Sequence, residues 1–194
     1  MPTNFRVSTE IERTYLARLL PALQPKEGPE YLAAKAILDE AKKENQDAQI
    51  IKSVIYMTEL QKEITEDNEV AAIKDIEKEI SSGKEPAASI FKSLEAGIYQ
   101  DYFNNHRWEL YDRTETKDFK KDDLTTWSVD DFYKKISGFY LESIKNDKLL
   151  KQTKLQPFDA IIIKGNVRHL RPTLYDLLVN HALEYFESDE TDIN

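Results

Sequence analysis

The sequence predicts an all-α fold, on three observations. Apolar residues recur at the helical period in stripes from Thr9 to Ile98 and again from Phe132 to Tyr185. Breakers are scarce, with 5 Gly and 7 Pro in 194 residues, while 32% of the chain is charged, the balance expected of long helices with one solvated face. The 10 Tyr, 8 Phe and 2 Trp supply a core and argue against disorder in spite of a mean hydropathy of −0.62. The length is ample for a hydrophobic core.

Each element follows from a local signal. Thr9 and Glu12 have capping-box spacing, Ile11, Tyr15 and Leu19 continue the stripe, and Pro21 and Pro25 end it. Gly28-Pro29 restarts the chain with Pro29 in a first helical turn, followed by a stripe of Leu32, Ala36 and residues 38–41. Asn45 to Asp47 make a polar break, after which Ile51, Val54, Ile55, Leu60 and Ile64 face one way. Val70, Ile73, Ile76 and Ile80 form the next stripe, closed at Ser82-Gly83, where glycine suits a left-handed cap. Glu85-Pro86 then opens a helix carrying Ile90, Leu94, Ile98 and Tyr102 at steps of four. Residues 50–54 (Ile-Ile-Lys-Ser-Val) and 90–94 (Ile-Phe-Lys-Ser-Leu) match at an offset of about 40, a period of helix-pair repeats. The predicted architecture is therefore antiparallel helix hairpins stacked as a short tetratricopeptide-like solenoid; a chance match of two apolar helices is the alternative.

Residues 104–127 change character and predict an irregular embellishment running over the surface. Ser128 is a good N-cap, with Asp130 and Asp131 placed to complement the helix dipole and Phe132, Ile136, Phe139, Tyr140 and Ile144 on the buried face. Phe158 to Ile163 reads equally as a strand or a buried helical turn, ended by Gly165-Asn166. Arg171-Pro172-Thr173 opens the last helix with Pro172 near its first position, and Leu174, Leu177, Leu178, His181, Ala182 and Tyr185 line one side. Residues 1–187 are expected to form a single helical domain, divisible into repeat-like helix pairs over 8–105 and a C-terminal helical part over 106–187, with 188–194 as an acidic linker or tail.

Composition removes several classes of function. A net charge of −9 and a pI near 5.0 argue against nucleic acid and against anionic lipid as partners. The absence of Cys removes disulfides, thiolate catalysis and Cys-ligated zinc. No apolar run of about 18 residues occurs, so the chain is not expected to span a membrane. Met1 to Phe5 have neither a basic n-region nor an apolar h-region, which predicts either a cytosolic protein or a part of a longer one.

Catalytic and metal-binding patterns are missing. His106, His169 and His181 do not have the i, i+4 spacing of a helical zinc site. His181, on an apolar helix side, reads as a hydrogen-bonded core histidine, and His169 beside Arg168 and Arg171 would be a poor cation ligand. There is no phosphate-cradling glycine loop and no G-x-S-x-G elbow. The carboxylates of Asp122-Asp123 and Asp130-Asp131 are adjacent and so point apart on a helix. Residues 118–123 place Phe and Lys where a calcium loop needs oxygen ligands. No catalytic residue, metal ligand or cofactor is predicted. Tyr99, Tyr102 and Tyr111, with Phe103 and Trp108, are a candidate aromatic surface for a peptide or sugar, although the spacing of the first residues is equally that of a helix core face.

Two stretches carry a family resemblance. YQDYFNNHRWELYDRT at 99–114 and LRPTLYDLLVNHALEYF at 170–186 resemble the helical N-terminal region of large macroglobulin-like proteins of Bacteroidetes-type bacteria, the bacterial relatives of alpha-2-macroglobulin. Residues 51–56 and Thr126-Trp127 fit the same pattern in the same order, so the resemblance spans roughly residues 29–187. It implies a periplasmic, cell-surface or secreted protein much longer than this chain. Full members carry β-sandwich macroglobulin domains, often with a thioester built from Cys and Gln, and are thought to trap proteases. This sequence has no Cys and no run of short alternating strands. The resemblance thus implies a non-catalytic helical scaffold or interaction module at the N-terminal end, with other domains of the same polypeptide, proteases or envelope proteins as partners. No inhibitory residue of the family maps onto it. The alternatives are a free-standing cytosolic helical-repeat protein that binds peptides and, third, a hydrolase with a site near His106, Asp112 and Arg113.

One specific contact is also expected. Arg107, Trp108 and Arg113 follow an apolar helix, and Arg171 and Asp176 flank the start of the last one. A guanidinium at such a junction can bond orphan carbonyls or a carboxylate. The expected lock docks an Arg of the first segment on Asp176 or on carbonyls near it, with Trp108 packed beneath; without that lock, Trp108 and Arg113 become a partner-binding surface.

Overall fold

A computed structural model describes residues 28–64, 70, 73–74, 77–78, 81, 83–111, 123–162 and 168–188. The helix expected from Thr9 to Leu19, the positions Ile76, Ile80 and Ser82, residues 112–122, Ile163 to Asn166 and the tail from 189 lie outside the described residues. The described part is all-helical. Its α-helices are α1 (Pro29–Glu44), α2 (Asp47–Ile64), α3 (Ala87–Asn105), α4 (Arg107–Tyr111), α5 (Val129–Ser143), α6 (Asp147–Gln152) and α7 (Leu174–Phe186). Short 3-10 turns occur at Leu124–Thr126, Gln156–Phe158 and Arg168–Leu170, and further helical residues at 70, 73–74 and 77–78. Among the described residues no helix is long and apolar enough to cross a membrane.

The chain divides into two compact units, each drawn from two segments: residues up to 72 with 154–172, and residues 73–153 with those from 173 onward. The sequence reading gives a single domain with possible sub-units over 8–105 and 106–187; α3 runs unbroken to Asn105 and packs along α5, which holds both sides of that position in one unit.

In the first unit α1 and α2 form a hairpin. Pro29 stands in the first turn as expected, and the Gly28 carbonyl accepts from the N–H groups of Tyr31 and Leu32 (3.0 and 3.2 Å). Asn45 ends α1 with φ 54°, a left-handed conformation that Asn tolerates through its short polar side chain. The Asn45 and Gln46 N–H groups return to the Lys42 and Ala41 carbonyls (3.4 and 2.9 Å), and the chain reverses into α2. The buried residues of α1 are Tyr31, Ala33, Ala34, Leu38 and Ala41; Leu38 and Ala41 stand in the expected stripe, whereas Leu32 is half-buried and Ala36 exposed. The small side chains of Ala34 and Ala41 let α2 approach closely with Ile51, Val54 and Leu60. In the 154–172 segment, the apolar run from Phe158 forms a 3-10 turn and further turns, with Phe158, Ile161 and Ile162 buried.

The second unit is organised on α3, which is buried over much of its circumference through Ile90, Phe91, Ala96, Tyr99, Tyr102 and Phe103. It packs against α5 and α7, and α7 also packs on α5 and α6. The matched pentads share burial at their middle three positions, where Ile51 and Phe91 are buried, Lys52 and Lys92 half-buried and Ser53 and Ser93 buried, but differ at their ends: Ile50 is half-buried against a buried Ile90, and Val54 buried against a half-buried Leu94. Both short caps are built as boxes. Ser128 and Asp131 exchange backbone and side-chain hydrogen bonds at the start of α5, and Thr173 and Asp176 do so at α7. Thr173 is therefore the cap residue, and Pro172, expected near the first helical position, lies one position before the cap. The expected irregular embellishment is also partly regular. α3 extends through Asn105, α4 follows, and Trp127 is buried instead of lying in a surface connection.

Each box satisfies helix N–H groups that would otherwise lack partners. Thr173→Ala and Ser128→Ala should each lower unfolding free energy by about 1 kcal/mol in urea titration. An unchanged midpoint would mean that the cap contributes nothing to cooperative unfolding.

Candidate functional site

The second unit carries an open groove of about 820 Å³, lined by Ile73, Lys74, Glu77, Lys78, Tyr99, Leu124, Trp127, Asp131, Lys134 and Lys135. This volume is in the usual range of ligand sites. Its floor is apolar and its rim is charged: Ile73, Tyr99, Leu124 and Trp127 are buried, whereas Lys74, Lys78 and Lys134 are exposed.

Local sequence chemistry places the floor. Asp123 holds the 3-10 turn, its Oδ1 accepting from the Thr125 N–H (3.1 Å) and hydroxyl (2.6 Å), while its carbonyl accepts from the Thr126 hydroxyl (2.7 Å). The Trp127 N–H donates to the Leu124 carbonyl at 3.2 Å. Ser128 then caps α5, leaving Trp127 just before the cap and Phe132 one turn inside the helix. Their ring centroids are 5.1 Å apart, which is the hydrophobic-staple arrangement. Trp127 also stacks on Tyr99 at 5.6 Å and an interplanar angle of 16°. Three consecutive local motifs, a turn, a staple and a cap, thus present one indole against α3.

The charged groups form a connected system. The Tyr99 hydroxyl donates to Glu77 Oε1 at 2.8 Å, and Lys135 Nζ lies 3.4 Å from the same oxygen. Burial and this acceptor push the Tyr99 hydroxyl above its ordinary range. Lys135 Nζ sits 4.4 Å from the Phe139 ring centroid, and Lys92 Nζ sits 4.9 Å from it. Two ammonium groups therefore share one ring. Lys92 is also 3.4 Å from Glu95 Oε2 and 3.4 Å from Glu142. Glu95 is only 5% exposed. Burial pushes its carboxyl up to about 7, against the pull of Lys92, with Glu77 adding a smaller push. At the rim, Lys134 pairs with Asp130 at 2.6 Å, and the Asp131 carboxylate is held by its cap, accepting from the Ser128 N–H (3.0 Å) and hydroxyl (2.6 Å).

Glu95, whose carboxyl is in the range useful for proton transfer, does not line the groove. The Ser93 hydroxyl lies 3.2 Å from His181 Nδ1, but Ser93 is buried between α3 and α7, out of reach of a substrate, and the pair ties the two helices together. Among the described residues no group of three or more His, Asp or Glu is placed to hold a metal ion.

The residues singled out from sequence are dispersed. The Arg107 guanidinium lies over the Tyr111 ring at 5.6 Å rather than on Asp176. Trp108 is 85% exposed, so it is not packed beneath an ion pair; α4 turns it to solvent and buries Leu110 instead. Asp176 Oδ2 accepts from the Thr173 N–H (3.0 Å) and hydroxyl (2.6 Å), so its charge serves the α7 cap. Arg171 is exposed, with its N–H donating to the Arg168 carbonyl at 3.0 Å. Arg113 and Asp112 lie outside the described residues. Tyr99 and Tyr102 belong to the core rather than to an aromatic surface, because their face of α3 meets α5; Tyr111 is half-exposed. The sequence reading missed Lys74, Lys78, Lys134, Lys135 and the groove role of Trp127. The i, i+4 pair of lysines and the tryptophan preceding a cap were the available signals.

Two outcomes check these environments. The folded state holds a proton on Glu95 that an unfolded chain releases between about 4.5 and 7, so stability falls as pH rises through that window and levels off above it. In urea titrations the wild type should lose about 3 kcal/mol relative to Glu95→Gln between pH 4.5 and 8; a pH-independent difference would mean that the carboxyl titrates in the folded protein as it does in the unfolded chain. Trp108→Ala should change stability by no more than about 0.5 kcal/mol, against a loss of about 3–5 kcal/mol for Trp127→Ala, with equal losses reversing the assignment of core and surface. In comparisons with known proteins, no family model matches the chain, and no curated protein or solved structure matches it significantly.

Proposed function

We propose that this chain is a non-catalytic interaction module and that the groove of the second unit is its binding surface. One observation carries the reading: an open groove with a buried aromatic and aliphatic floor beneath a rim of lysines. Apolar floors with a few convergent polar groups are what ligand sites need for affinity and orientation respectively. The resemblance to the helical N-terminal region of macroglobulin-like proteins supports an accessory role at the cell envelope, within a longer polypeptide, where sibling domains, proteases or envelope proteins are the partners. Protease trapping itself would then belong to other domains.

The two tryptophans make the test direct. In a Trp108→Phe variant the emission of Trp127 reports on the groove floor alone. Titration with a random-sequence library of peptides about ten residues long should shift that emission saturably. Chromogenic ester and peptide substrates should be cleaved no faster than in buffer. An unresponsive Trp127, or turnover that persists through further purification, would reject the reading.

A further inference from the structure

We infer that the groove selects an acidic peptide segment bearing an aromatic or aliphatic side chain, an inference that rests on the groove being the binding surface. The argument is one of uncommitted charge. The two carboxylates that line the groove are already engaged, Asp131 by the Ser128 cap and Glu77 by the Tyr99 hydroxyl and Lys135. Two of the four lysines are engaged as well, Lys134 with Asp130 and Lys135 with Glu77. The ammonium groups of Lys74 and Lys78 are exposed and have no partner among the described residues. They stand four positions apart, each is helical and both line the groove, so they project side by side over it. The charge that the groove leaves unanswered is therefore positive, on a chain whose net charge is −9.

The floor decides which kind of anion fits. Ile73, Leu124 and Trp127, at 3–6% exposure, present narrow apolar edges that a side chain can touch but on which no base can stack, and which a small inorganic anion would not use. Single-stranded nucleic acid needs an open aromatic face on which a base can stack. The faces of Trp127 and Tyr99 are taken by each other and by Phe132 and Phe139, with 6% and 3% of these two residues exposed. The acidic remainder of the chain also repels a long polyphosphate, whereas a short carboxylate-bearing segment feels mainly the charges within about 8–10 Å. Carboxylates on Lys74 and Lys78, with an apolar side chain on the floor between them and Trp127, satisfy both halves of the groove.

The experiment uses the full chain carrying Trp108→Phe, with Trp127 emission as the readout. The probes are two peptides of about twelve residues, one of Glu and Phe and one with Gln replacing every Glu. The acidic peptide should bind at least tenfold more tightly, and should weaken about tenfold as salt rises from about 0.05 to 0.5 M. Lys74→Glu/Lys78→Glu should erase the preference, and Lys74→Gln/Lys78→Gln should reduce it, with circular dichroism unchanged in both. Equal binding of the two peptides overturns the inference and leaves the groove as a binding surface. Charge reversal without effect on the preference overturns it too, as does an oligothymidylate of similar length that binds more tightly than the acidic peptide. If neither peptide moves Trp127, the groove reading fails and the inference fails with it.

Discussion

The ring of Phe132 is fully buried and lies 5.1–5.8 Å from three others: Trp127 before the α5 cap, and Tyr102 and Phe103 on α3. Such ring pairs add about 0.5–1.5 kcal/mol each beyond the area they bury. Their geometric effect matters more here. Phe132 is one turn into α5, so its position is set by the Ser128–Asp131 box, and the staple then sets Trp127. Trp127 in turn stacks on Tyr99, whose hydroxyl fixes Glu77. A cap, a core ring, a groove floor and a rim carboxylate are thus positioned in one sequence of contacts. The candidate site owes its shape to the packing of α3 on α5, to the 3-10 turn that sets Leu124 and Trp127 before α5, and to the residues at 73–78.

A second constraint comes from charge within an acidic protein. Lys92 and Lys135 lie over the same Phe139 ring, where each is partly desolvated and each needs a carboxylate. Lys92 finds Glu95 and Glu142, and Lys135 finds Glu77. A buried ion pair is weak evidence for stability, because desolvation offsets the Coulomb gain. The upward push on the Glu95 carboxyl is the visible sign of that balance. The network's consequence for the site is to consume charge: Glu77 and Lys135 cancel within the groove, and the Lys74–Lys78 side determines its sign.

Much of the fold was legible because local signals coincide with it. Pro29, the Asn45 break, the Ser128 cap and the stripe of Leu174, Leu177, Leu178 and Tyr185 all stand where the pattern puts them. In α1, Leu38 and Ala41 stand where the periodicity puts them and Leu32 and Ala36 do not, because close helix approach favours Ala33 and Ala34. The expected lock does not run through Arg107, which lies over Tyr111, and Asp176 closes a box with Thr173, three positions away, at almost no loop-closure cost; Arg113 lies outside the described residues. Trp108, expected beneath the lock or, without it, on a partner-binding surface, is exposed, and Trp127, expected in a surface connection, is buried. Both follow polar residues, and only the staple with Phe132 separates them.

By itself the sequence determined what depends on neighbours within a few residues: helical periodicity, the caps at Ser128 and Thr173, the left-handed turn at Asn45, and a composition that leaves out thiolate chemistry. These are set by hydrogen bonds and steric limits spanning three or four residues. Tertiary structure alone decided which lysines converge, which tryptophan is a floor and which carboxyl is buried. Lys74, Tyr99 and Trp127 are separated by 25 or more positions in the chain, and they meet because the rings of α3 and α5 must share one dry interface. That interface is a property of shapes fitting together, and shape complementarity between distant segments has no signature in either segment read alone.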